Sequence, residues 1–210
     1  MNRYYVGRRD EFLRIFKKAE DKYSKSTKRL AGEGWNKDWK TLIVTIMSAQ
    51  SRDETTISVA EELFSKYKTL EKLAKAKYKG VLEIFKSLNY NRTKAKHVIK
   101  AARMLLNDFN RKTPDSLEKL LRIPGVGRKT ANLVLSEVHN KNSITIDTHC
   151  HRILNLLGVV KTKNPYQTEL EMKKIAPRKY WSKINRILVL WGKDVKGRDR
   201  KKLLKKLGES

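Results

Sequence analysis

The sequence predicts an all-helical (all-α) protein made of two helical modules. Apolar residues recur every three or four positions along nearly the whole chain, which is the spacing of one buried helix face. The 210 residues include only 4 prolines and 10 glycines, as expected for helices joined by short turns. We find no convincing strand alternation, and a hydrophobic content of 39 % is enough to form a core.

The first half of the chain begins with a helix that Asp10 can cap and that runs to about Tyr23. The polar stretch around Gly32 and Gly34 is predicted to be a linker. A helix over 39–47 is apolar on several sides, so we expect it at the centre of a core. Further helices are predicted over 53–67, 70–76, 79–87 and 93–109.

The second half of the chain opens with a helix that Thr113 caps, with Pro114 in its first turn. Pro124 ends this helix, since proline cannot continue it. Later helices are predicted near 147–157, 166–175 and 178–192. The chain then closes on a basic tail, residues 196–210, of the kind that is usually a solvated face.

The charge balance is strongly basic: 49 Lys and Arg against 22 Asp and Glu give a net charge of +27, which indicates a polyanionic partner. The longest apolar runs, 42–47 and 187–191, are far short of a membrane span. The N-terminus lacks the pattern of a secretory signal. Cys150 is the single cysteine, so we expect a reducing compartment and neither a disulfide nor a four-cysteine metal site.

A glycine-containing hairpin is predicted in LRIPGVGRKTANLVL, residues 121–135. Gly125 and Gly127 permit positive φ and a close backbone approach, so N–H groups at the start of the second helix can point at an anion. An ordinary glycine-terminated helical hairpin has the same pattern. The net charge favours a DNA phosphate.

Lys129 lies in the first turn of that second helix, roughly opposite its apolar stripe. Leu133 shares the Lys129 side, which suggests a helix covered on both faces. The helix dipole and partial burial would both disfavour a charged amine, and a neutral amine is a nucleophile. The alternative is one solvated lysine among many. The stripe consists of Ala131, Val134, Leu135 and Val138.

The hairpin, together with ITIDTHCHRILN at 144–155, resembles the helix-hairpin-helix DNA glycosylases, in particular the endonuclease III-like group. The resemblance implies an active site formed by Lys129 and Asp147, which have the spacing of the family. Asp147 could instead be only a helix N-cap. If 147–151 were a strand, Asp147, His149 and His151 would share a face and could bind a metal, but the resemblance makes this segment a turn into a helix.

Two further segments match the family. TLIVTIMSAQSRD, residues 41–53, supplies Gln50, which would enter the gap left by a flipped base. LNYNRTKAKHVI, residues 88–99, carries the wedge position, here Tyr90, for which a packed hairpin aromatic is the alternative. The predicted phosphate-binding residues are Gly125, Val126, Gly127, Arg128 and Thr130. The candidates for the substrate pocket are Asn91, Asp53 and His149.

The resemblance also implies the domain organisation. A six-helix module would span 31–141 and contain the helix-hairpin-helix at about 115–139. Residues 1–30 and 142–210 would form the second module, with the active site in the cleft between the two.

The sequence departs from the family at several places. The four cysteines of the family's [4Fe–4S] cluster are missing, so we expect no cofactor and no metal, and the basic tail would take over part of the DNA docking. The wedge segment has Asn89, Tyr90 and Asn91 where the family has glycine, an aromatic or leucine, and tyrosine, and Leu156 replaces a frequent arginine.

The implied function is that of a bifunctional DNA N-glycosylase and apurinic/apyrimidinic lyase in base excision repair. It would remove an oxidised pyrimidine through a Schiff base on Lys129, with Asp147 stabilising the developing positive charge. Alternative substrates are mismatched uracil or thymine and 8-oxoguanine. Non-catalytic DNA binding and binding to an anionic membrane surface are the other classes, and neither needs the Lys129–Asp147 pair or the Gln50 segment. We expect a monomer acting on damaged or abasic double-stranded DNA, without a membrane, in the cytoplasm at the nucleoid or in a nucleus.

Overall fold

The computed structural model describes residues 3–209, which form twelve α-helices and two short 3-10 helices and contain no strand. The chain divides into two compact units. One is Arg29–Lys141, and the other combines the chain up to Lys28 with the chain from Asn142 onward. No helix in the described part is long and apolar enough to cross a membrane.

The 29–141 unit is organised around its first helix, α2, Asp38–Ser48. Its residues from Thr41 to Met47 are all buried, because three later helices of the unit pack around it. The central position predicted for this helix is thereby confirmed. The unit has seven α-helices where six were expected, two of them only five residues long. The helices after α2 are α3 (Asp53–Lys66), α4 (Leu70–Ala74), α5 (Tyr78–Ile84), α6 (Asn91–Asn107), α7 (Leu117–Leu121) and α8 (Arg128–Glu137), with a 3-10 turn at Phe85–Ser87.

The second unit packs its N-terminal helix α1 (Arg3–Tyr23) against two helices from the C-terminal part, α10 and α11. Phe12, Ile15, Phe16 and Ala19 form the buried face of α1 at helical spacing. The C-terminal helices are α9 (Thr148–Leu156), α10 (Pro165–Ile175), α11 (Trp181–Asp194) and α12 (Arg200–Lys206), with a 3-10 turn at Arg178–Tyr180.

Two predicted helix starts are wrong. The helix α1 begins at Arg3 rather than at Asp10, because residues 3–9 contain no proline and a single glycine, which a helix tolerates. The helix α7 is capped by Ser116, whose Oγ accepts from Lys119 N at 3.3 Å. The predicted cap, Thr113, is buried instead.

Part of the basic tail, Arg200–Lys206, is a helix rather than only a solvated face. Asp199 caps α12 by accepting from Lys202 N at 3.2 Å, and Leu203 is fully buried. Such a short helix with one buried apolar residue has almost no periodicity, which explains why its sequence does not predict it.

Candidate active site

The turn between α7 and α8 depends on Gly125. Its φ is +84°, and a Cβ built there would lie 2.8 Å from Ile46 Cγ2 and 2.9 Å from His97 Cβ. The turn is closed by Val126 N, which donates to Ile123 O at 3.0 Å. Glycine is therefore required at position 125 both by conformation and by the close approach of α2 and α6.

The first backbone amides of α8 lie outside its intrahelical hydrogen-bond pattern. Gly127 is the N-cap residue, without a side-chain cap, and the first intrahelical bond runs from Ala131 N to Gly127 O at 2.9 Å. The amides of residues 128–130 precede that bond and have no acceptor within the helix, which is the arrangement that binds phosphate.

Two of the predicted phosphate-binding residues need correction. Val126 has a buried side chain, and its amide is already used in the turn by Ile123 O. Thr130 has a buried side chain too, because it lies on the core side of α8, so only its backbone amide can reach an anion. For Gly125, Gly127 and Arg128 phosphate binding stays a prediction.

Lys129 is exposed in the first turn of α8, on the side away from buried Ala131 and Val134. The predicted partial burial of Lys129 is thus wrong within its own unit. The linker covers Leu133, one turn further along the helix, rather than Lys129. A Cβ built at Gly32 in this linker would lie 3.2 Å from Leu133 Cδ2. Lys129 therefore stays exposed although Leu133 is covered.

Asp147 is the N-cap residue of α9. Its Oδ1 accepts from Cys150 N at 2.8 Å, so the cap occupies one of the two carboxylate oxygens. The structural role predicted as an alternative for Asp147 is therefore real. It does not exclude a chemical role, since the second oxygen is not part of the cap.

The histidines on α9 have separate surroundings. His149 packs against Gly192 of α11. A Cβ built at Gly192 would lie 2.6 Å from Nδ1 of His149. His151 Nδ1 lies 2.7 Å from Thr168 Oγ1, and burial lowers the pKa of His151. Because this segment is helical, Asp147, His149 and His151 do not share a face, and residues 3–209 contain no group of three or more potential metal-ligating side chains.

Gln50 and Tyr90 are both exposed, and both adopt left-handed backbone conformations, with φ of 53° and 56°. Gln50 follows the end of α2, whereas Tyr90 is the N-cap residue of α6. Tyr90 is 66 % exposed, so it is not the packed hairpin aromatic that was the alternative.

Two of the three pocket candidates have local structural partners. Asp53 accepts from Ala31 N at 3.0 Å and so fixes the linker beside α3. Asn91 accepts from Arg92 N at 2.7 Å and donates to Lys86 O at 3.4 Å at the start of α6.

The segment after α11 is held by contacts that the sequence analysis missed. Arg152 on α9 donates to the carbonyl oxygens of Gly192, Val195 and Gly197. Glu209 pairs with Arg14 and Lys18, which lower the pKa of its carboxyl to about 2. The sequence around an arginine in a helix does not indicate that its side chain binds carbonyl oxygens about forty residues further along the chain.

Residues 43–178 match the family model described as HhH-GPD superfamily base excision DNA repair protein. The chain belongs to this superfamily. It is 41 % identical over 157 residues to the endonuclease III of Thermotoga maritima, covering 75 % of this chain and 74 % of that protein. It is 31 % identical over 188 residues to the endonuclease III of Buchnera aphidicola, covering 90 % and 87 %.

Solved structures agree with this assignment. A trapped endonuclease III–DNA covalent intermediate superposes with a TM-score of 0.84 at 25 % identity, over 91 % of this chain and 89 % of that one. A thermostable thymine-DNA glycosylase, 18 % identical with a TM-score of 0.74 over 89 % and 86 %, shares the fold. The predicted all-helical fold and family are therefore confirmed.

Proposed function

We propose that this protein is a base excision repair DNA glycosylase with associated apurinic/apyrimidinic lyase activity, acting through Lys129 and Asp147. The HhH-GPD family match and the relatives named endonuclease III support the activity. The observation that carries the assignment of residues is the exposed Lys129 at the amide-presenting end of α8, together with Asp147 at the start of α9. Phosphate binding alone would need neither side chain.

The reaction begins when the Lys129 amine attacks C1′ of the damaged nucleotide. The C1′–Nζ bond forms as the bond from C1′ to the base breaks, and the departing base takes a proton from water. Asp147 stabilises the positive charge that develops on the deoxyribose and accepts the proton that the lysine loses. Both groups must therefore reach the same sugar.

Strand cleavage follows from the same covalent linkage. Opening of the sugar ring gives a protonated Schiff base between Nζ and C1′, which acidifies the C2′ proton. Loss of this proton expels the 3′ phosphate by β-elimination, and water then hydrolyses the Schiff base to return free Lys129. A glycosylase without a nucleophilic amine would stop at base removal.

DNA recognition would rest on phosphate contacts and on replacement of the flipped base. The first-turn amides of α8 bind a backbone phosphate, and the net charge of +27 supplies the long-range attraction. Gln50 and Tyr90 fill the space that the extruded base leaves. The partner is double-stranded DNA with a damaged base or abasic site, bound by a monomer at the nucleoid or in a nucleus.

The family's iron–sulfur cluster does not fit this chain. A [4Fe–4S] cluster needs four thiolates, whereas the chain has the single, buried Cys150. The contacts of Arg152 and Glu209 hold the C-terminal segment instead. Purified protein should therefore lack iron and keep its thermal midpoint in the presence of chelators, and stoichiometric iron by elemental analysis would refute this.

The preferred base is an oxidised pyrimidine, which is the substrate that the resemblance to the endonuclease III-like group implies. Mismatched uracil or thymine and 8-oxoguanine are the competing substrates, because Asn89, Tyr90 and Asn91 differ from the family pattern at the wedge. Duplexes that each carry one of these lesions separate the possibilities by their rates of base release. Fastest release of an oxidised pyrimidine is expected.

Borohydride trapping tests the proposed nucleophile. Wild-type protein should form a covalent adduct with abasic duplex, and Lys129→Gln should abolish the adduct while DNA binding persists. Lys119→Gln, which removes an exposed lysine from the other helix of the hairpin, is the matched control and should trap normally. Undiminished trapping by Lys129→Gln would show that another amine is the nucleophile.

A further inference from the structure

Lys94 has a buried, ionisable side chain that takes no part in the proposed reaction. It lies in the second turn of α6 and is only 4 % exposed. Its Nζ donates to Ser51 Oγ at 2.8 Å, and within residues 3–209 no carboxylate pairs with it. Burial lowers the pKa of Lys94 to about 8. A buried amine without an ion pair destabilises a fold, so its position requires a reason.

Ser51 is the point at which two loops meet. Its Oγ accepts from Lys94 and also from Asn89 N at 3.2 Å. The Asn89 side chain in turn donates from Nδ2 to Gln50 O at 2.5 Å. Two hydrogen bonds therefore join the loop after α2 to the loop before α6, and a third joins the loop after α2 to α6 itself. We call Lys94, Ser51 and Asn89 the wedge latch.

The two residues that the latch flanks are both strained. Gln50 and Tyr90 are non-glycine residues with positive φ, a conformation that persists only where the surroundings hold it. Both side chains are exposed, so neither is fixed by burial in the core. The hydrogen bonds of the latch act on the backbone of Gln50 and on the residue directly before Tyr90.

We propose that Lys94 is a positioning residue that, through Ser51, holds Gln50 and Tyr90 in one arrangement suited to base extrusion. The inference rests on the proposed function. Without the wedge latch, both loops can relax to ordinary backbone conformations. Ordering the two loops again then costs free energy each time a base is extruded. Asn89 strengthens the latch, because the glycine of the family pattern has no side-chain amide to reach Gln50 O.

The effect should be confined to substrates whose base must be extruded. Lys94→Met removes the buried amine but keeps a long, unbranched side chain, so the thermal midpoint should be unchanged or higher. Base release from a paired lesion should slow roughly tenfold, the effect of about one net hydrogen bond, while cleavage at a preformed abasic site should change less than about twofold. Lys100→Met, which removes an exposed lysine from the same helix, is the control and should match wild type in both assays.

A double-mutant cycle distinguishes positioning from general damage. If Lys94 acts through Gln50, adding Lys94→Met to Gln50→Ala should slow base release by clearly less than the product of the two single effects. 2-Aminopurine at the flipped position should show a smaller extruded fraction in Lys94→Met than in wild type. Asn89→Ala, at an exposed position that does not threaten folding, should reproduce the pattern on paired and abasic substrates.

Different results would refute the positioning role of Lys94 and the proposed function. Equal slowing on both substrates, unchanged base release in Lys94→Met and Asn89→Ala, or multiplicative effects with Gln50→Ala would each overturn the positioning role. If Lys94→Met does not fold, Asn89→Ala and Ser51→Ala decide by the same criteria. A wild-type protein that neither releases a base nor forms the borohydride adduct would instead refute the proposed function.

Discussion

The N-termini of α8 and α9 carry the two proposed catalytic residues, and they are built in opposite ways. The helix α8 starts at Gly127 without a side-chain cap and has a lysine in its first turn. The helix α9 starts at Asp147, whose carboxylate caps it through Cys150 N. A carboxylate at a helix N-terminus stabilises the helix, whereas a cation there opposes the helix dipole.

At α8 the proposed catalytic residue does not stabilise the helix, whereas at α9 one residue, Asp147, has both a proposed catalytic role and a role in helix stability. Lys129 is exposed and does not stabilise the helix that presents it, so its replacement should leave the fold intact. Asp147 has both roles, and the effect of replacing it should depend on whether the new residue can cap. The uncapped amides of α8 are the feature that a phosphate would use.

The largest expected effect is chemical and comes from Asp147. Asp147→Asn keeps a good N-cap, so its unfolding free energy should stay near wild type, yet base excision should slow about 10²- to 10⁴-fold. Some borohydride trapping on a preformed abasic site should remain, because no glycosidic bond breaks there.

Asp147→Ala separates the capping role of Asp147 from its chemical role. It should lose catalysis to a similar extent and, in addition, about 1 kcal/mol of unfolding free energy, because alanine cannot cap α9. Chemical denaturation of both variants measures the difference. Equal stability of the two would contradict the capping role, and normal base excision by Asp147→Asn would contradict the chemical one.

The next largest effect should arise in the turn before α8. Gly125→Ala places a Cβ 2.8 Å from Ile46 Cγ2 at a φ of +84°, so we expect a loss of about 2 to 4 kcal/mol in unfolding free energy. Gly127→Ser is the control, since its Cβ meets nothing within 4 Å and serine is a good N-cap. Similar loss in both variants would show that the turn does not depend on close packing at position 125.

A smaller effect concerns the salt dependence of DNA binding. Each phosphate contact neutralised by the protein contributes about −0.9 to the slope of log K against log salt. Replacing Lys201 and Lys205, both exposed on α12, by glutamine should weaken binding to damaged and undamaged duplexes alike and make the slope shallower by up to about 2. Lys25→Gln should change the slope less. Loss restricted to damaged DNA would exclude simple backbone docking by α12.

The smallest expected effect is on the stability of α8. Lys129→Gln removes a cation from an uncapped helix N-terminus and should raise the unfolding free energy by about 0.3 to 1 kcal/mol at low salt. Thermal melts at low and high salt test this, since the gain should shrink as salt screens the dipole. A clear loss of stability would mean that Lys129 has a structural contact and that α8 and α9 are not opposites.

Much of this fold follows from local sequence patterns. The burial of α2 was predictable because apolar residues lie on several of its sides. The hairpin was predictable because Gly125 and Gly127 mark the turn before a regular apolar stripe. Lys129 and Asp147 were identified by their place in a family pattern, which no amount of periodicity would have supplied.

Contacts between distant residues were not predictable. The Arg152 contacts to three carbonyl oxygens and the Lys94–Ser51 hydrogen bond depend on where separate helices lie in space. The cap at Ser116 was missed because Thr113 and Pro114 give the same local signal three residues earlier. Polar contacts of this kind have no period, so the sequence contains the donors and acceptors without indicating their partners.

The proposed mechanism requires that Lys129 be the residue that bonds to the sugar. Borohydride-trapped wild-type protein on abasic duplex can be digested with nuclease and protease, and the modified peptide can be sequenced by mass spectrometry. We predict the sugar remnant on Nζ of Lys129, within the segment that begins α8. A remnant on any other lysine or on the N-terminal amine, with Lys129 unmodified, would contradict the proposed mechanism.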